Sequence, residues 1–294
     1  FTASPLLGTP QGLSVYLDGV RMNQPFGDVL SWDLIPRAAL KSVTLMPGSN
    51  PLFGLNTLGG ALALETKDGR SNPGTQIQLQ AGSHNRRSLL LEHGFVNDKG
   101  LDGYAMANLF HDGGWRAQSP SDVRQFFGKL GWRDGRTRSK LSLSWADNDL
   151  HGNGLQEGSQ LAQDWKSVYS TPDITRQHAL MLNWTGSHEV RDGWNVSAQV
   201  YMRRQKGSTL NGDINEGALD QSVYQPSAGE RTVLAQNGYS GFPNSGANAS
   251  NTPFPMWRCI AQALQNDEPG EKCTGLINRT HTAQSNHGFS GQWT

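Results

Sequence analysis

The stretch Trp194-Asn-Val-Ser-Ala-Gln-Val-Tyr-Met-Arg203 alternates apolar and polar side chains along its whole length. A period of two residues is that of a β-strand with one face in an apolar environment and the other in a polar one. Seven other segments show the same period, and with this one the predicted strands are 74–82, 86–95, 101–111, 122–133, 139–149, 174–187, 194–205 and 280–293. Each is about 10 residues long, which is the length that a tilted strand needs to cross a bilayer.

The connections between these strands differ in length at the two ends of the predicted sheet. Tight turns at 97–100, 134–136 and 191–193 lie at one end, whereas the other end has one short connection, 83–85, and the long connections 112–121, 150–173 and 206–279. Short turns at one end and long loops at the other are typical of an outer-membrane barrel. A soluble β-sandwich also alternates, but a connection of 74 residues is unusual in a compact soluble domain. The barrel is therefore the favoured interpretation.

Charge and hydropathy exclude two other classes of protein. Lys and Arg together number 25, as do Asp and Glu, so the formal net charge is zero and no global positive field attracts nucleic acid. Uninterrupted apolar runs such as Ala61–Leu64 and Ala179–Leu182 are four residues long. A membrane-spanning helix needs about 20 mostly apolar residues, so none is predicted.

Residues 1–69 have a different texture and predict a small α+β unit. Short strands are expected at Leu13–Leu17, Leu40–Met46 and Gly60–Thr66, with a short helical turn at Asp33–Arg37. Asp18-Gly19 and Pro47-Gly48 are turn signals that end the first two strands.

A resemblance to a known family follows from the motifs of this first zone. They are, in order, Val15-Tyr-Leu-Asp-Gly-Val-Arg21, Asp33-Leu-Ile-Pro36, Val43-Thr-Leu-Met-Pro-Gly48, Leu52-Phe-Gly-Leu-Asn-Thr-Leu-Gly-Gly-Ala-Leu62 and Glu65-Thr-Lys67. This series resembles the second half of the plug domain of TonB-dependent outer-membrane receptors. Asn153-Gly-Leu155 with Thr171-Pro-Asp173 is similar to a loop of the siderophore-receptor-like members.

The resemblance implies a mainly β fold: part of a small α+β plug at 1–69, then the N-terminal part of a transmembrane antiparallel β-barrel at 70–294, with a long extracellular loop at 206–279. About eight of a presumed 22 strands are expected here. A closed barrel of eight strands is filled by its own side chains and could not hold the roughly 70 residues that precede it. We therefore expect the barrel to continue beyond Thr294.

The resemblance also implies a function, which is energy-coupled uptake of a scarce nutrient across the outer membrane of a Gram-negative bacterium. A ferric siderophore is the expected substrate; cobalamin, haem or an oligosaccharide would use the same scaffold, and a soluble β-rich binding protein or hydrolase is the alternative of another class. The expected partners are a TonB-type periplasmic energy-coupling protein, whose binding box is missing from this sequence, outer-membrane lipid and the chelate itself, but no nucleic acid. No enzymatic activity and no cofactor is expected, since iron would enter only as part of the transported chelate.

The expected ligand-binding residues lie on the plug loop 23–32, which in relatives rises toward the extracellular vestibule. Gln24 and Asp28 are expected to hydrogen-bond the chelate, and Phe26 and Trp32 to stack on its aromatic or apolar parts. Alternatively, the two aromatic side chains only pack the loop against the barrel wall.

The long loop is a second candidate surface, with Tyr239, Phe254 and Trp257 among Gly, Asn and Ser residues. An extracellular lid without specific contacts is the alternative. Trp257, Ile260, Ala261 and Leu264 have helical spacing, and a disulfide between Cys259 and Cys273 would pin that helix; two unrelated thiols are the alternative. The eight histidines form no HxxxH or HExxH pattern, so no metal site and no catalytic site is predicted.

One departure from the family concerns how the plug is held. Many members have Arg-Gly-Pro where this chain has Met46-Pro47-Gly48, and that arginine commonly reaches carboxylates of the barrel. The sequence leaves open whether Arg37 or Lys41 takes its place.

Overall fold

The structure, a computed structural model, describes residues 2–5, 11–49, 54, 57–152, 154–156, 158–213, 224–248, 250–252, 256–265 and 276–294. Its strands form two sheets, one of four strands and one of eight. We call the first the plug sheet and the second the wall.

The plug sheet contains β1 (Leu13–Leu17), β2 (Val20–Arg21), β3 (Leu40–Pro47) and β4 (Gly60–Thr66) in the spatial order β2-β1-β4-β3. β1 runs parallel to β4, and the other pairs are antiparallel. Two 3-10 turns, Trp32–Leu34 and Arg37–Ala39, precede β3. The three strands and the helical turn predicted for this zone are thus present.

The wall is a regular antiparallel meander in which each strand pairs with its sequence neighbour. Its strands are β5 (Gly74–Ala81), β6 (Arg87–Val96), β7 (Leu101–Asp112), β8 (Ser121–Asp134), β9 (Thr137–His151), β10 (Asp173–Arg191), β11 (Trp194–Asp213) and β12 (Leu276–Trp293). All eight predicted strands are confirmed, as are the tight turns that join β6 to β7, β8 to β9 and β10 to β11.

The predicted end of β11 is wrong by eight residues, because the strand continues to Asp213 and not to residue 205. The polar stretch 206–213 pairs along its whole length with β12, from Lys206 opposite Ala283 to Asp213 opposite Leu276. Ladder hydrogen bonds use the backbone alone, so the strand persists where the apolar alternation ends. The connection between β11 and β12 therefore covers 214–275.

Alternation gives the wall two different faces. On β10, Met181 and Asn183 are only 4% and 3% exposed, whereas Leu182 and Trp184 between and beyond them are 38% exposed. The outward row continues over the wall as a band of exposed apolar side chains: Ile77, Leu79, Leu91, Leu109, Phe126, Leu130, Leu141, Leu182, Val200 and Phe289.

The plug sheet packs against the inner face of the wall. Met181 of β10 joins a buried cluster with Val15, Leu17 and Leu64 of the plug sheet. In a second cluster, Ala39 at the end of a 3-10 turn is buried among the wall residues Tyr104, Met106 and Phe127. The apolar core is therefore shared by the two sheets.

The described parts of the long connections contain three helices: α1 (Gly158–Gln163), α2 (Ala228–Gln236) and α3 (Met256–Gln265). Ser227 caps α2 in a capping box with Glu230, whose carboxylate also pairs with Arg258 of α3 at 3.2 Å. None of the helices in the described part of the chain has the length and apolar content of a membrane-spanning segment.

We predict that Met181→Ala loosens the plug in the full-length protein. Deleting a buried methionine side chain costs about 2–5 kcal/mol, and here the cavity opens between the two sheets. Met202→Ala is the matched control, because Met202 pairs with Leu182 on the outer face. Limited proteolysis of plug peptide bonds should be faster in Met181→Ala than in Met202→Ala; equal rates would contradict the shared core.

Candidate ligand site and plug anchorage

A buried ion pair joins the plug sheet to the wall at the β1–β2 turn. The Asp18 carboxylate accepts hydrogen bonds from the Thr66 backbone N–H at 3.0 Å and from the Thr66 hydroxyl at 2.5 Å. Lys129 Nζ of β8 lies 2.8 Å from Asp18 Oδ2, with side-chain exposures of only 4% for Lys129 and 15% for Asp18. Since both charges are largely removed from water, each is compensated by the other, and loss of either would leave a buried charge unpaired.

The backbone of the same turn is held by two more wall strands. Asp18 and Gly19 have φ angles of +45° and +84°, a conformation that glycine adopts readily. The Asp18 carbonyl accepts hydrogen bonds from Asn183 Nδ2 of β10 at 3.2 Å and Gln199 Nε2 of β11 at 2.9 Å. A Cβ at position 19 would lie 3.0 Å from Gln199 Oε1, so the close approach also favours glycine.

The segment after β4 is tied to the wall by two further ion pairs. Lys67 Nζ lies 2.6 Å from Glu92 Oε1, which also accepts a hydrogen bond from the Tyr104 hydroxyl at 2.5 Å. Arg70 Nε lies 2.8 Å from Asp102 Oδ1. Glu92 and Asp102 are buried at 7% and 4% exposure, so the segment after β4 supplies the cations that these wall carboxylates require.

Neither Arg37 nor Lys41 forms an ion pair with a wall carboxylate among the described residues. Lys41 Nζ pairs with Glu65 of the adjacent plug strand at 3.3 Å, on the surface. Arg37 forms no ion pair with any described residue. At the β1–β2 turn the charges are placed the other way round: the carboxylate, Asp18, is on the plug, and the cation, Lys129, is on the wall.

Asp33 lies nearer the long-loop end, and amide side chains of the wall hydrogen-bond to it. Its carbonyl accepts hydrogen bonds from Gln125 Nε2 at 2.7 Å and Asn148 Nδ2 at 2.8 Å, and its carboxylate accepts from Asn148 at 3.0 Å and Gln177 Nε2 at 3.1 Å. Burial raises the pKa of the Asp33 carboxyl, and the Asn148 hydrogen bond offsets part of that rise. Three wall strands, β8, β9 and β10, thereby fix the turn.

The four predicted residues of the plug loop differ in what they can offer a ligand. Gln24 donates to Ser31 Oγ at 3.0 Å and accepts from Gln284 Nε2 of β12 at 2.7 Å. Asp28 pairs with Arg21 at 2.9 Å. Both polar groups therefore have intramolecular partners, whereas the Phe26 side chain is 73% exposed.

Trp32 lies elsewhere, at a pocket between the plug and the wall. Its indole N–H donates to the Ala3 carbonyl at 2.8 Å, and the side chain remains 37% exposed. The pocket has a volume of about 350 Å³, and its lining includes Trp32, Asp33, Arg37, Asn108, Phe110 and Gln125. The pocket thus has two aromatic rings, the two amides Asn108 and Gln125, the Asp33 carboxylate and one guanidinium, Arg37, without an ion-pair partner in the described structure. The rings can stack on a planar ligand, and the guanidinium can hydrogen-bond its anionic oxygens.

Of the six lining residues named above, sequence reasoning predicted only Trp32 as a ligand residue; it missed Asp33, Arg37 and Gln125, and also Asn108 and Phe110. The sequence does contain a signal for Asn108 and Phe110. Together with Tyr104 and Met106 they are every second residue of β7, so all four side chains face inward. No comparable signal marks Arg37.

A larger cavity of about 810 Å³ lies at the tight-turn end of the inner face. Arg138, Lys140 and Gln199 are among the residues that line it. Since Gln199 binds the Asp18 turn, this space is at the opposite end of the plug sheet from Asp33 and is separate from the pocket at Trp32.

Of the predicted residues of the long loop, Tyr239 and Trp257 are described; they lie at the helical unit formed by α2 and α3 and are not among the residues that line the pocket at Trp32. Tyr239 follows α2 and is 40% exposed, and Trp257 of α3 meets Phe242 edge to face with ring centroids 6.0 Å apart. Phe254 and Cys273 lie outside the described residues, so the bridge to Cys259 on α3 stays a prediction. Among the described residues, no group of three or more His, Cys, Asp or Glu side chains could hold a metal ion.

Several solved structures share this architecture. The ferric-catecholate import receptor Fiu from K12 E. coli aligns with 95% of this chain and 35% of its own, at 13% identity and a TM-score of 0.60. The pyoverdine outer membrane receptor FpvA from Pseudomonas aeruginosa PAO1 aligns with 70% of this chain and 32% of its own, at 17% identity and a TM-score of 0.57. For the siderophore receptor PiuA from Acinetobacter baumannii the shares are 70% and 31%, at 14% identity and a TM-score of 0.54. No protein-family model and no curated protein matches the sequence.

The chain therefore has the plug-and-barrel fold of the siderophore receptors. The fold class expected from residues 15–67 and from the alternating strands, part of an α+β plug followed by part of an antiparallel barrel, is confirmed. The chain spans about a third of the length of these structures.

We predict that Lys129→Met releases the plug in the full-length protein. Removing one partner of a buried ion pair costs about 3–5 kcal/mol, because the other charge is left without compensation. Lys140→Met is the matched control: Lys140 Nζ lies 3.4 Å from Asp68, and its side chain is 44% exposed, so the loss should stay below about 1 kcal/mol. Denaturant titration followed by plug proteolysis measures both, and a Lys129 variant as stable as the control would contradict the anchorage.

Proposed function

We propose that this protein is part of an outer-membrane receptor that binds a ferric siderophore and takes it up by energy coupling to a TonB-type periplasmic protein. The observation that carries the proposal is the position of the plug sheet, which is buried against the polar inner face of a wall whose outer face is apolar. A plug that fills the lumen disfavours a passive pore, because diffusing solutes would find no open path.

The two ends of the wall support the proposed orientation. Tight turns lie at one end and long connections at the other, as in barrels with periplasmic turns and extracellular loops. Exposed tryptophans, Trp132, Trp184, Trp194 and Trp293, lie outward near the tight-turn end, where an interfacial girdle is expected. The pocket at Trp32 lies toward the long-loop end and so would face the cell exterior.

The chemistry of this pocket favours an anionic chelate. Arg37 can donate hydrogen bonds to a carboxylate or catecholate oxygen, and Trp32 and Phe110 can stack on a planar group. Phe26 on the neighbouring loop adds exposed aromatic surface. The solved structures with this fold include a ferric-catecholate import receptor and a pyoverdine receptor.

Binding of iron chelates to the purified full-length protein tests the proposal. We predict that Arg37→Gln weakens binding of a ferric tris-catecholate by about ten-fold to a hundred-fold, since a hydrogen bond to a charged group contributes about 1.5–3 kcal/mol. Tryptophan fluorescence quenching is the measurement, because Trp32 lines the pocket. Lys41→Gln, which removes a charge that pairs with Glu65 away from the pocket, should bind like the wild type.

Three outcomes separate the candidate substrates. Quenching by the ferric chelate that is weakened only in Arg37→Gln supports the proposal. Quenching by cobalamin or haem but by no ferric chelate would support a receptor function and contradict a ferric siderophore as the substrate. No response to any of these ligands contradicts uptake through this pocket.

A second prediction tests placement in the membrane. Arg at the mid-depth of a lipid-facing strand position costs about 2–4 kcal/mol, so Val200→Arg should reduce assembly into the outer membrane. Ser197→Arg is the control on the same strand, because Ser197 lies on the inner face at the large cavity. Cell fractionation and heat-dependent mobility of the full-length protein measure assembly, and equal effects of the two substitutions would contradict a lipid-facing outer surface.

A further inference from the structure

Two opposite charges line the pocket at Trp32 without pairing with each other. The Asp33 carboxylate and the Arg37 guanidinium both belong to its lining, yet neither forms an ion pair with the other or with any other described residue. The remaining described residues of the lining are uncharged. The pocket therefore presents one uncompensated charge of each sign.

The backbone between Asp33 and Arg37 keeps these two charges apart. In a continuous α-helix, an acidic and a basic side chain four residues apart are neighbours and would pair. Here the first 3-10 turn ends at Leu34, Ile35 is extended with φ −83° and ψ 126°, and Pro36 precedes the second turn. Pro36 has no N–H to continue a helix, so the two charges lie on separate turns that share one pocket.

Only neutral amides hold the Asp33 carboxylate. Asn148 Nδ2 of β9 donates to one oxygen at 3.0 Å and Gln177 Nε2 of β10 to the other at 3.1 Å, and neither amide is among the residues that line the pocket. Both carboxylate oxygens retain acceptor capacity, because a carboxylate has about four lone-pair sites. Burial raises the pKa of this carboxyl, as expected where no cation offsets the loss of water.

A second acceptor beside Asp33 also lacks a donor. Asn148 is 2% exposed, and its Oδ1 is buried without a hydrogen-bond partner in the described structure, although Nδ2 of the same amide donates to Asp33. A buried acceptor without a partner costs free energy. An ammonium or guanidinium group has several N–H donors, and its charge would compensate Asp33.

The two neutral amides of the lining already have partners within the protein. Asn108 Nδ2 donates to Gln125 Oε1 at 3.4 Å, and Gln125 Nε2 donates to the Asp33 carbonyl at 2.7 Å. The charges of Asp33 and Arg37 are therefore the strongest uncompensated groups that the pocket offers to a ligand.

We propose that the chelate carries a protonated amine or guanidinium beside its anionic chelating group, and that Asp33 binds this cation while Arg37 binds the anionic oxygens. The inference rests on the proposed function and narrows its substrate class from anionic chelates to chelates with charges of both signs. A purely anionic chelate would leave Asp33 uncompensated and bring a second negative charge close to it, which disfavours binding. Asp33 is thus the residue that selects between the two classes.

Two matched probes test the inference on the purified full-length protein: the ferric complexes of dopamine and of N-acetyldopamine. Both contain the same catechol, but only dopamine has a protonated amine. Tryptophan fluorescence quenching should show that the wild type binds the dopamine complex about ten-fold more tightly or better, because hydrogen bonds between charged groups are among the strongest. Equal affinities would overturn the inference and leave the proposed function standing, whereas a wild type that binds neither complex would contradict the proposed function itself.

Substitutions assign the preference to one residue. Asp33→Asn should abolish it by weakening only the dopamine complex, whereas Arg37→Gln should weaken both complexes alike and keep the preference. Glu65→Gln is the matched control, since Glu65 is a plug carboxylate that pairs with Lys41 away from the pocket; it should bind both complexes like the wild type. An Asp33→Asn variant that still prefers the dopamine complex would contradict the role of Asp33.

Covalent coupling in the wild type tests the contact without any substitution. A carbodiimide joins a carboxylate and an amine that are in contact, and peptide mass spectrometry then locates the new amide bond. With the ferric dopamine complex bound, Asp33 should be the carboxylate that is coupled, and the N-acetyldopamine complex should give no product. Coupling no greater at Asp33 than at the exposed Glu65 would overturn the assignment, even if Asp33→Asn fails to fold.

Discussion

The inner face of the wall can be buried only because the plug satisfies its polar side chains. Lys129, Asn148 and Arg203 are each at most 5% exposed, and each finds its partner in the plug: Asp18, Asp33 and the carbonyls of Arg21 and Met22. Buried groups without such partners cost several kcal/mol. The alternation that places apolar side chains outward necessarily places this polar set inward, so the wall and the plug require each other.

The contacts divide the plug into two ends with different chemistry. At the β1–β2 turn and after β4, ion pairs dominate, and their charges are placed in opposite directions. The wall supplies the cation to Asp18, whereas the segment after β4 supplies Lys67 and Arg70 to wall carboxylates. At Asp33 the wall contributes neutral amides instead. The pocket with Trp32 and Arg37 lies at the Asp33 end of the plug, where the Arg37 guanidinium has no ion-pair partner among the described residues.

The sequence predicts the strands well because the period of two reports a physical requirement at every second residue. It predicts the site less well. Gln24 and Asp28 are polar and lie on the expected loop, yet Ser31, Gln284 and Arg21 already satisfy them, and no local pattern reveals partners 7 to 260 residues away. Arg37 and Lys129 look like ordinary surface charges in the sequence. Their roles appear only when the two sheets are placed together, because burial and pairing are properties of the assembled fold.

The Asp18–Gly19 turn meets side chains from β8, β10 and β11 at once. Asn183 and Gln199 meet at one atom, the Asp18 carbonyl oxygen, and Lys129 meets the carboxylate of the same residue. A single plug residue is therefore shared by three wall strands. Any displacement of this turn along one strand lengthens its contacts with the other two, so the turn moves freely only when all three contacts are lost.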